Sequence, residues 1–196
     1  MTIKLLLDLG NSRLKWALER DGEITVGAAI GHSPDGIGDL APLFAATPTV
    51  DSAWLSSTAL TLTQALVAAI EARFGCAPRV FVSPKQALGI RSAYDHPHTL
   101  GADRFLAMVG ARCHVKGAFL VADAGTALTL DLVDDSGQHL GGLIAPGPML
   151  MRDALQRGTD GVRTGDALRV REFARNTDDA VWSGGCLACI SLIGHA

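Results

Sequence analysis

Residues 8–12, with the sequence DLGNS, place a carboxylate, a glycine and two short polar side chains between two apolar runs. A glycine at such a turn lets backbone N–H groups approach an anion, and the Asn and Ser side chains add hydrogen-bond donors. Asp8 could hold a hydrated Mg²⁺, and Lys15 follows closely enough to reach the same anion. The segment therefore predicts a phosphate-binding turn, with a plain β-turn as the alternative.

Asp103 and Arg104 are adjacent where a loop leads into a helical pattern. Such a pair could combine a proton acceptor for an alcohol with an arginine that binds a substrate carboxylate. Taken by themselves, the two residues fit a local role better, with Asp103 capping the helix and the Arg104 side chain in solvent. His96 and His98 flank a proline in the preceding loop and give only weak support for a metal site.

Two further groups of residues are ambiguous. The glycines of GGLIAPG, at residues 141–147, would allow close approach of a ligand or of another backbone, or a bulge before a helix. The local sequence does not decide among these. Cys186 and Cys189 form a C-x-x-C pair in an apolar helical stretch, and with 4 cysteines in the chain no second pair completes a zinc site. Buried packing is therefore the favoured interpretation.

The elements that must position these residues alternate between strands and helices. The predicted elements, in chain order, are strands at residues 3–9, 14–20 and 23–30, a helix at 37–45, a strand at 52–57, a helix at 62–74, a strand at 79–82 and, over 100–115, a loop that leads into a helix. An Asp-Gly pair at residues 21–22 is a strong hairpin signal. This order predicts an α/β fold with a mixed sheet.

The opening pattern returns at residues 119–147. A gapless alignment of the two segments places three residues of the first copy on the same residue type in the second. Asp8 aligns with Asp123, Gly10 with Gly125, and the hairpin residue Gly22 with Gly137. The chain thus repeats a β-turn-β-turn-β unit. Two copies suggest two similar lobes around a cleft, in which ligands bind.

The second copy is predicted to be shorter than the first. Helices predicted at residues 149–157 and 178–193 follow it without further strands, so its sheet is expected to have three strands where the first has five. The predicted domains are an N-terminal lobe with the phosphate turn, residues 1–116, and an incomplete C-terminal lobe, residues 117–196.

Composition excludes some classes of function. The 196 residues are 48% hydrophobic and 19% charged, which is typical of a folded globular chain. A formal net charge of -3 gives no long-range attraction for polyanions, so nucleic acid is disfavoured as a partner. The apolar run at the start meets Asp8 too early for a signal sequence or a membrane span, so we expect a cytoplasmic protein with no membrane partner.

The motifs taken together resemble one known family. DLGNS at residues 8–12 with Lys15, YDHPHTLGADR at 94–104, DAGTA at 123–127 and GGLIAPG at 141–147 occur in the order found in the type III pantothenate kinases. NTDDAVWSGG at 176–185 resembles the next segment of that family. The family belongs to the superfamily of acetate and sugar kinases, heat-shock ATPases and actin. The resemblance therefore implies duplicated ribonuclease H-like, actin-like lobes with mixed five-stranded sheets.

The resemblance also implies an activity, which is ATP-dependent phosphorylation of pantothenate to 4'-phosphopantothenate, the first step of coenzyme A biosynthesis. It implies ATP with Mg²⁺, a monovalent cation that is K⁺ or NH₄⁺, and a homodimer. Asp103 would be the proton acceptor, Asp123 the monovalent-cation ligand, and Asp8 a Mg²⁺ ligand through water. Contacts to ATP or its phosphates would come from Asp8, Leu9, Gly10, Asn11, Ser12, Arg13, Leu14, Lys15 and Thr126. Substrate contacts would come from Tyr94, Gly101, Ala102, Asp103, Arg104 and, near the dimer interface, Thr177.

The chain departs from the family pattern at its end. The family continues through further strands and a Gly-Gly-Asp-like turn near the nucleotide, so we expect impaired contacts to adenine and exposed or partner-covered apolar surface on the second lobe. A catalytically impaired member that acts as an accessory factor in gene regulation is the alternative function. Phosphoryl transfer to another small alcohol, or polyphosphate chemistry, is a third hypothesis, which the substrate motif at 94–104 disfavours.

Overall fold

The computed structural model describes residues 2–33, 35–165 and 168–196. Strands and helices alternate in the predicted manner. The strands are β1 Ile3–Leu9, β2 Arg13–Arg20, β3 Glu23–Val26, β4 Ile30–Gly31, β5 Ser52–Ser57, β6 Arg79–Val80, β7 Gln86–Ala87, β8 Ile90–Arg91, β9 Phe119–Ala124, β10 Ala127–Val133 and β11 His139–Pro146. The helices are α1 Ala41–Ala46, α2 Leu60–Phe74, α3 Ala102–His114, α4 Pro148–Gly158 and α5 Thr177–His195, and a 3₁₀ turn spans Pro97–Thr99.

The first sheet is mixed, with the strand order β3-β2-β1-β5-β6. β1 pairs antiparallel with β2 and parallel with β5. Every second residue of β1 is buried, and α2 buries Leu62, Leu66 and Ile70 in the same core. The five strands expected in this sheet are present, and the short β4 adds a sixth beside the start of β2.

The second sheet has three antiparallel strands in the order β11-β10-β9, as the repeat predicts. Its first turn is tighter than that of the first sheet. Leu9 pairs with Leu14, whereas the equivalent residue Ala124 pairs with Leu128 and not with Thr129. The gapless alignment therefore fails for this turn by one residue. β11 exposes Leu140, Leu143 and Ile144, in line with the apolar surface expected on this lobe.

Several predicted elements are shorter in the structure. The strand predicted at 79–82 ends at Val80, and glycines explain the differences at two others. The strand predicted at 23–30 is interrupted after Val26, because Gly27 lies directly over the Trp16 ring, where a side chain would clash. The helix predicted at 37–45 begins only at Ala41, because Gly38 has a left-handed backbone with φ of 77°. The Asp39 carboxylate then accepts a hydrogen bond from the Ala41 N–H at 2.9 Å.

Helices α4 and α5 pack together beside the second sheet. A methyl group at Gly185 would lie 3.3 Å from the Pro148 backbone, so only a small residue fits between the helices there. Trp182 is buried, with the Arg152 guanidinium 5.0 Å from its ring and its indole N–H donating to the Gly165 carbonyl at 3.3 Å. In the described chain, no helix combines the length and apolar character that a membrane crossing requires.

The chain forms two compact units. One consists of Met1–Lys85 and Tyr94–Leu106, and the other of Gln86–Ala93 and Ala107–Ala196. The first turn of α3 therefore belongs to the first unit and the rest of the helix to the second. The domain boundary that the sequence places between residues 116 and 117 stays a prediction.

Candidate active site

The turn between β1 and β2 is open to solvent. The Gly10 N–H donates to the Arg13 carbonyl at 3.1 Å, and the three residues Asn11, Ser12 and Arg13 are exposed. A methyl group at Gly10 would lie 3.5 Å from that carbonyl, which is an ordinary contact, and Gly10 has no left-handed backbone. The fold therefore does not need glycine at this position, whereas close approach of a ligand would.

Three strands meet around Asp8. Lys15 faces it from β2 and Ser56 faces it from β5, with 3.7 Å between the Lys15 Nζ and an Asp8 carboxylate oxygen. Partial burial raises the pKa of Asp8, the charge of Asp103 raises it further, and the Lys15 ammonium and the Ser56 hydroxyl oppose these effects. Asp8 is thus a carboxylate that gains from a cation placed beside it.

Asp103 lies in the first turn of α3. Its Oδ1 accepts a hydrogen bond from the Arg104 N–H at 2.8 Å, so the capping role expected locally is present in part. A methyl group at Gly101 would lie 2.5 Å from the same oxygen. Gly101 therefore leaves the space that this carboxylate occupies. The charge of Asp103 raises the pKa of Asp8, so the two carboxylates, at the start of α3 and the end of β1, lie within electrostatic range of each other in the first unit.

Arg104 is buried, with 6% exposure, which corrects the local expectation of a solvated side chain. Its guanidinium donates to the Tyr94 hydroxyl at 3.0 Å and lies 5.8 Å from the centre of the Tyr94 ring. The tyrosine and the arginine of the motif at 94–104 therefore form one polar group. Ala102, between Gly101 and Asp103, is buried.

Leu9 and Leu14 are fully buried in the core, so only their backbone atoms could face a nucleotide. Both leucines close the β1–β2 hairpin as a cross-strand pair. Their side chains hold the turn on the sheet, while the exposed residues between them carry the polar groups.

The second copy of the turn contains Asp123 and Thr126, both exposed in the second unit. The Gly125 N–H donates to the Ala127 carbonyl at 2.9 Å, and the Gly147 N–H donates to the Thr126 carbonyl at 2.9 Å. A methyl group at Gly147 would clash with the Gly125 carbonyl oxygen. The last glycine of GGLIAPG therefore allows another backbone segment to approach closely. Of the alternatives that the sequence left open, a ligand, another backbone or a bulge, the structure shows the second at this glycine.

Thr177 is the exposed first residue of α5. Asn176 caps this helix, because its side-chain oxygen accepts from the Asp179 N–H at 2.8 Å and its amide donates to the Asp179 carboxylate at 3.1 Å. Thr177, like Asp123 and Thr126, belongs to the second unit and is placed there by this cap.

A magnesium ion bound with phosphates fits the residues at Asp8. Among residues 2–33, 35–165 and 168–196, no three His, Cys, Asp or Glu side chains cluster as a metal cage would require. Mg²⁺ usually keeps several waters and is held by one or two carboxylates together with substrate phosphates. One carboxylate beside an open turn, with its pKa raised, meets that description.

His32 and Ser56 contact the site and were not singled out from the sequence. Ser56 could have been found, because the strand predicted at 52–57 pairs with β1 and places it beside Asp8. His32 gave no signal, since it is a single histidine after a two-residue strand. Its Nε2–H donates to the Gly10 carbonyl at 2.7 Å, and its backbone N–H donates to the Ser12 carbonyl at 3.3 Å.

Comparisons with known proteins point to one family. Residues 4–196 match the family model described as type III pantothenate kinase. A protein named type III pantothenate kinase from Methylibium petroleiphilum is 37% identical over 201 residues, which cover 96% of this chain and 78% of the relative.

Two solved structures share the fold. A Campylobacter jejuni protein described as a Baf family transcriptional activator has a TM-score of 0.59 at 21% identity, over 98% of this chain and 78% of its own. A protein described as a 2-dehydro-3-deoxygalactonokinase from Sinorhizobium meliloti has a TM-score of 0.54 at 13% identity, over 98% of this chain and 80% of its own. At these identities they show the fold alone, which is the expected duplicated actin-like architecture.

Proposed function

Because the chain belongs to the type III pantothenate kinase family, we propose that it transfers the terminal phosphoryl group of ATP to the hydroxyl of pantothenate. The product is 4'-phosphopantothenate, in the first step towards coenzyme A. One observation of the structure carries the proposal. Asp8, beside an open glycine turn, lies close enough to Asp103 in the same unit for the Asp103 charge to raise its pKa.

Two carboxylates in this arrangement suit phosphoryl transfer with separate roles. In such a reaction the protein mainly positions the reactants and stabilises charge. Asp103 accepts the proton of the pantothenate hydroxyl, and the space at Gly101 keeps its carboxylate in place. Tyr94 and Arg104 form the polar group that binds the rest of this substrate.

The turn at residues 10–13 binds the phosphates of ATP. Its exposed backbone and the Asn11 and Ser12 side chains offer hydrogen-bond donors, and Lys15, with an exposed side chain, adds a positive charge. Asp8 would hold a hydrated Mg²⁺, which would supply positive charge to neutralise the phosphates. Thr126 is proposed as a further ATP contact, as the family resemblance implies.

We propose Asp123 as the ligand of a K⁺ or NH₄⁺ ion. It is an exposed carboxylate beside the second glycine turn, and the family resemblance assigns a monovalent cation to it. Turnover should then require K⁺ or NH₄⁺ and fall when Na⁺ replaces them, and Asp123→Asn should remove the difference between the cations. Equal rates in Na⁺ and K⁺ would contradict this assignment.

We further propose a cytoplasmic homodimer in which Thr177 contacts the substrate near the interface. The support is the family resemblance and the exposed position of Thr177 at a capped helix start. Sedimentation of the purified protein tests the oligomeric state, and a monomer at all concentrations would contradict it.

A coupled assay of ATP consumption with and without pantothenate tests the main proposal. We expect consumption that depends on pantothenate, and its loss in Asp103→Asn, which removes the proton acceptor with little change in shape. His195→Asn, at an exposed helix end, is the control and should retain full activity. Absence of turnover by the wild-type chain in K⁺ and Mg²⁺ would refute the kinase function.

A regulatory role without catalysis is not favoured. The relative at 37% identity is named as a kinase, whereas the structure described as a transcriptional activator is only 21% identical and supports the fold alone.

A further inference from the structure

We propose that His32 is a positioning residue for the phosphate turn, an inference that rests on the proposed function. His32 binds two carbonyl groups of the turn, those of Gly10 and Ser12. It thereby aims the backbone N–H groups of the turn at the phosphates of the nucleotide. His32 touches no substrate in this role and acts through the backbone of residues 10–13.

The hydrogen bonds fix the orientation of two peptide groups. The Gly10 carbonyl accepts from the His32 imidazole at 2.7 Å and the Ser12 carbonyl accepts from the His32 backbone at 3.3 Å. In a trans peptide the N–H points opposite to the C=O. The N–H groups of Asn11 and Arg13 therefore point away from His32, on the other side of the turn. Two such N–H groups, close in sequence, form the kind of concave surface that binds anions.

The imidazole keeps the turn open. In a closed two-residue turn the Arg13 N–H would donate back to the Gly10 carbonyl. Within the described residues this bond is not formed, and the same carbonyl accepts from His32. The bond requires the proton on Nε2. Nδ1 is buried without a hydrogen-bond partner in the described structure, so the ring offers a single donor to the turn.

The repeat supports this role through the residue equivalent to His32, which is Gly147. In both copies this residue donates its backbone N–H to a carbonyl of the turn, that of Ser12 or that of Thr126. At Gly147 a Cβ would clash with the Gly125 carbonyl, so the second turn rests directly on the backbone. In the first copy a side chain occupies this space and reaches the equivalent Gly10 carbonyl. We therefore infer that the His32 side chain holds the first turn farther from the backbone of residue 32 than the second turn lies from the backbone of Gly147.

Two substitutions separate the hydrogen bond from the volume of the side chain. His32→Leu removes the donor, whereas His32→Gln retains an N–H donor of similar reach. His114→Leu, at an exposed position of α3, is the matched control. For His32→Leu we expect the KM for ATP to rise about five- to tenfold, which corresponds to the loss of one hydrogen bond. The KM for pantothenate should be unchanged. His32→Gln and His114→Leu should stay within about twofold of wild type in both constants.

A purely structural histidine would give a different result. It would lower the melting temperature of His32→Leu and His32→Gln alike and leave both KM values alone, or raise them together. Either result overturns the proposal. Equal KM values for ATP in His32→Leu and His32→Gln also overturn it.

A measurement on the wild-type chain covers the case in which His32→Leu does not fold. Long-range ¹H–¹⁵N NMR spectra should show the His32 proton on Nε2, and the Hε2 signal should shift when Mg²⁺ and a non-hydrolysable ATP analogue are added. A proton on Nδ1 alone, or no shift at saturating nucleotide, overturns the proposal. Failure of pantothenate-dependent turnover would refute the kinase function separately, because this spectrum needs only nucleotide.

Discussion

Gly101 shows how a residue without a side chain can control a catalytic carboxylate. A methyl group there would lie 2.5 Å from the Asp103 Oδ1, and the carboxylate is the group that can move. Gly101→Ala should therefore lower kcat about 10- to 100-fold by displacing the proton acceptor, with little change in melting temperature. Gly110→Ala, within α3 and with open space at its Cβ position, is the control and should keep wild-type kcat. A Gly101→Ala enzyme with normal kcat would contradict the role given to Asp103.

The charged form of Asp8 lowers the stability of the fold near neutral pH. Its pKa is raised mainly by burial, so the folded state holds its proton more tightly than the unfolded state. The tighter binding of this proton stabilises the folded state at low pH, and the stabilisation is lost as pH rises through the raised pKa. Asp8→Asn, which is neutral, should melt at a higher temperature than wild type near pH 7 and lose phosphoryl transfer.

The gain in melting temperature of Asp8→Asn should disappear in acid, below the ordinary pKa of 3.8, where wild-type Asp8 is protonated in both states. Thermal melts of both proteins from pH 3 to pH 8 measure this difference. A gain that persists unchanged in acid would show that ionisation of Asp8 is not its cause.

At the scale of residues, the sequence predicts the charged groups of the site but not the contacts that hold them in place. Asp8 and Asp103 stand out because each belongs to a motif of the family that the chain resembles, although a turn or a helix cap uses the same residue types. The burial of Arg104 could not be read from its neighbours, since its partner Tyr94 is ten residues away across a loop. His32 was equally hidden, because its bond to Gly10 depends on how β4 pairs with β2.

At the scale of elements, strong periodicity gave correct boundaries. β1 and β5 begin and end where alternation and turn residues predict. The hairpin of β7 and β8 was missed, because strands of two residues carry no period. The hairpin is held by contacts remote in sequence, such as the Arg91 N–H donating to the Gly137 carbonyl at 3.0 Å.

Helix α5 contains two adjacent glycines with opposite surroundings. Gly184 has open space at its Cβ position, whereas Gly185 lies against Pro148. Gly184→Ala should stabilise the protein by up to about 1 kcal/mol through helix propensity. In Gly185→Ala the added methyl group would overpack the contact with Pro148. This should destabilise the protein by about 1–3 kcal/mol and cancel the gain in helix propensity. Denaturant melts compare the two variants, and equal stabilities would contradict the tight contact between α4 and α5.

For the whole molecule, the proposed dimer makes a prediction about shared sites. If Thr177 of one protomer completes the site that contains Asp103 of its partner, Asp103→Asn and Thr177→Val chains should complement each other. Half of the randomly mixed dimers are heterodimers, each with one intact site, so the mixture should recover roughly a quarter of wild-type activity. Both variants should be nearly inactive alone. An inactive mixture would place Thr177 in the site of its own chain.

The duplication was the most informative property of the whole sequence. It predicted two sheets of unequal size, which the structure confirms, and it related Asp8 to Asp123. The gapless alignment did not predict the tighter second turn, although the apolar alternation of β10, which begins at Leu128 and not at Thr129, carries the shift of one residue.

The placement of Trp182 gives the second unit its own optical signal. Trp16 and Trp54 belong to the first unit, whereas Trp182 is buried in the second between Arg152 and the Gly165 carbonyl. In a chain with 3 tryptophans, replacing the first two by phenylalanine leaves one tryptophan, whose emission should shift to the red when the second unit unfolds. Comparison of that transition with circular dichroism would reveal whether the two halves of the duplication unfold together or one after the other.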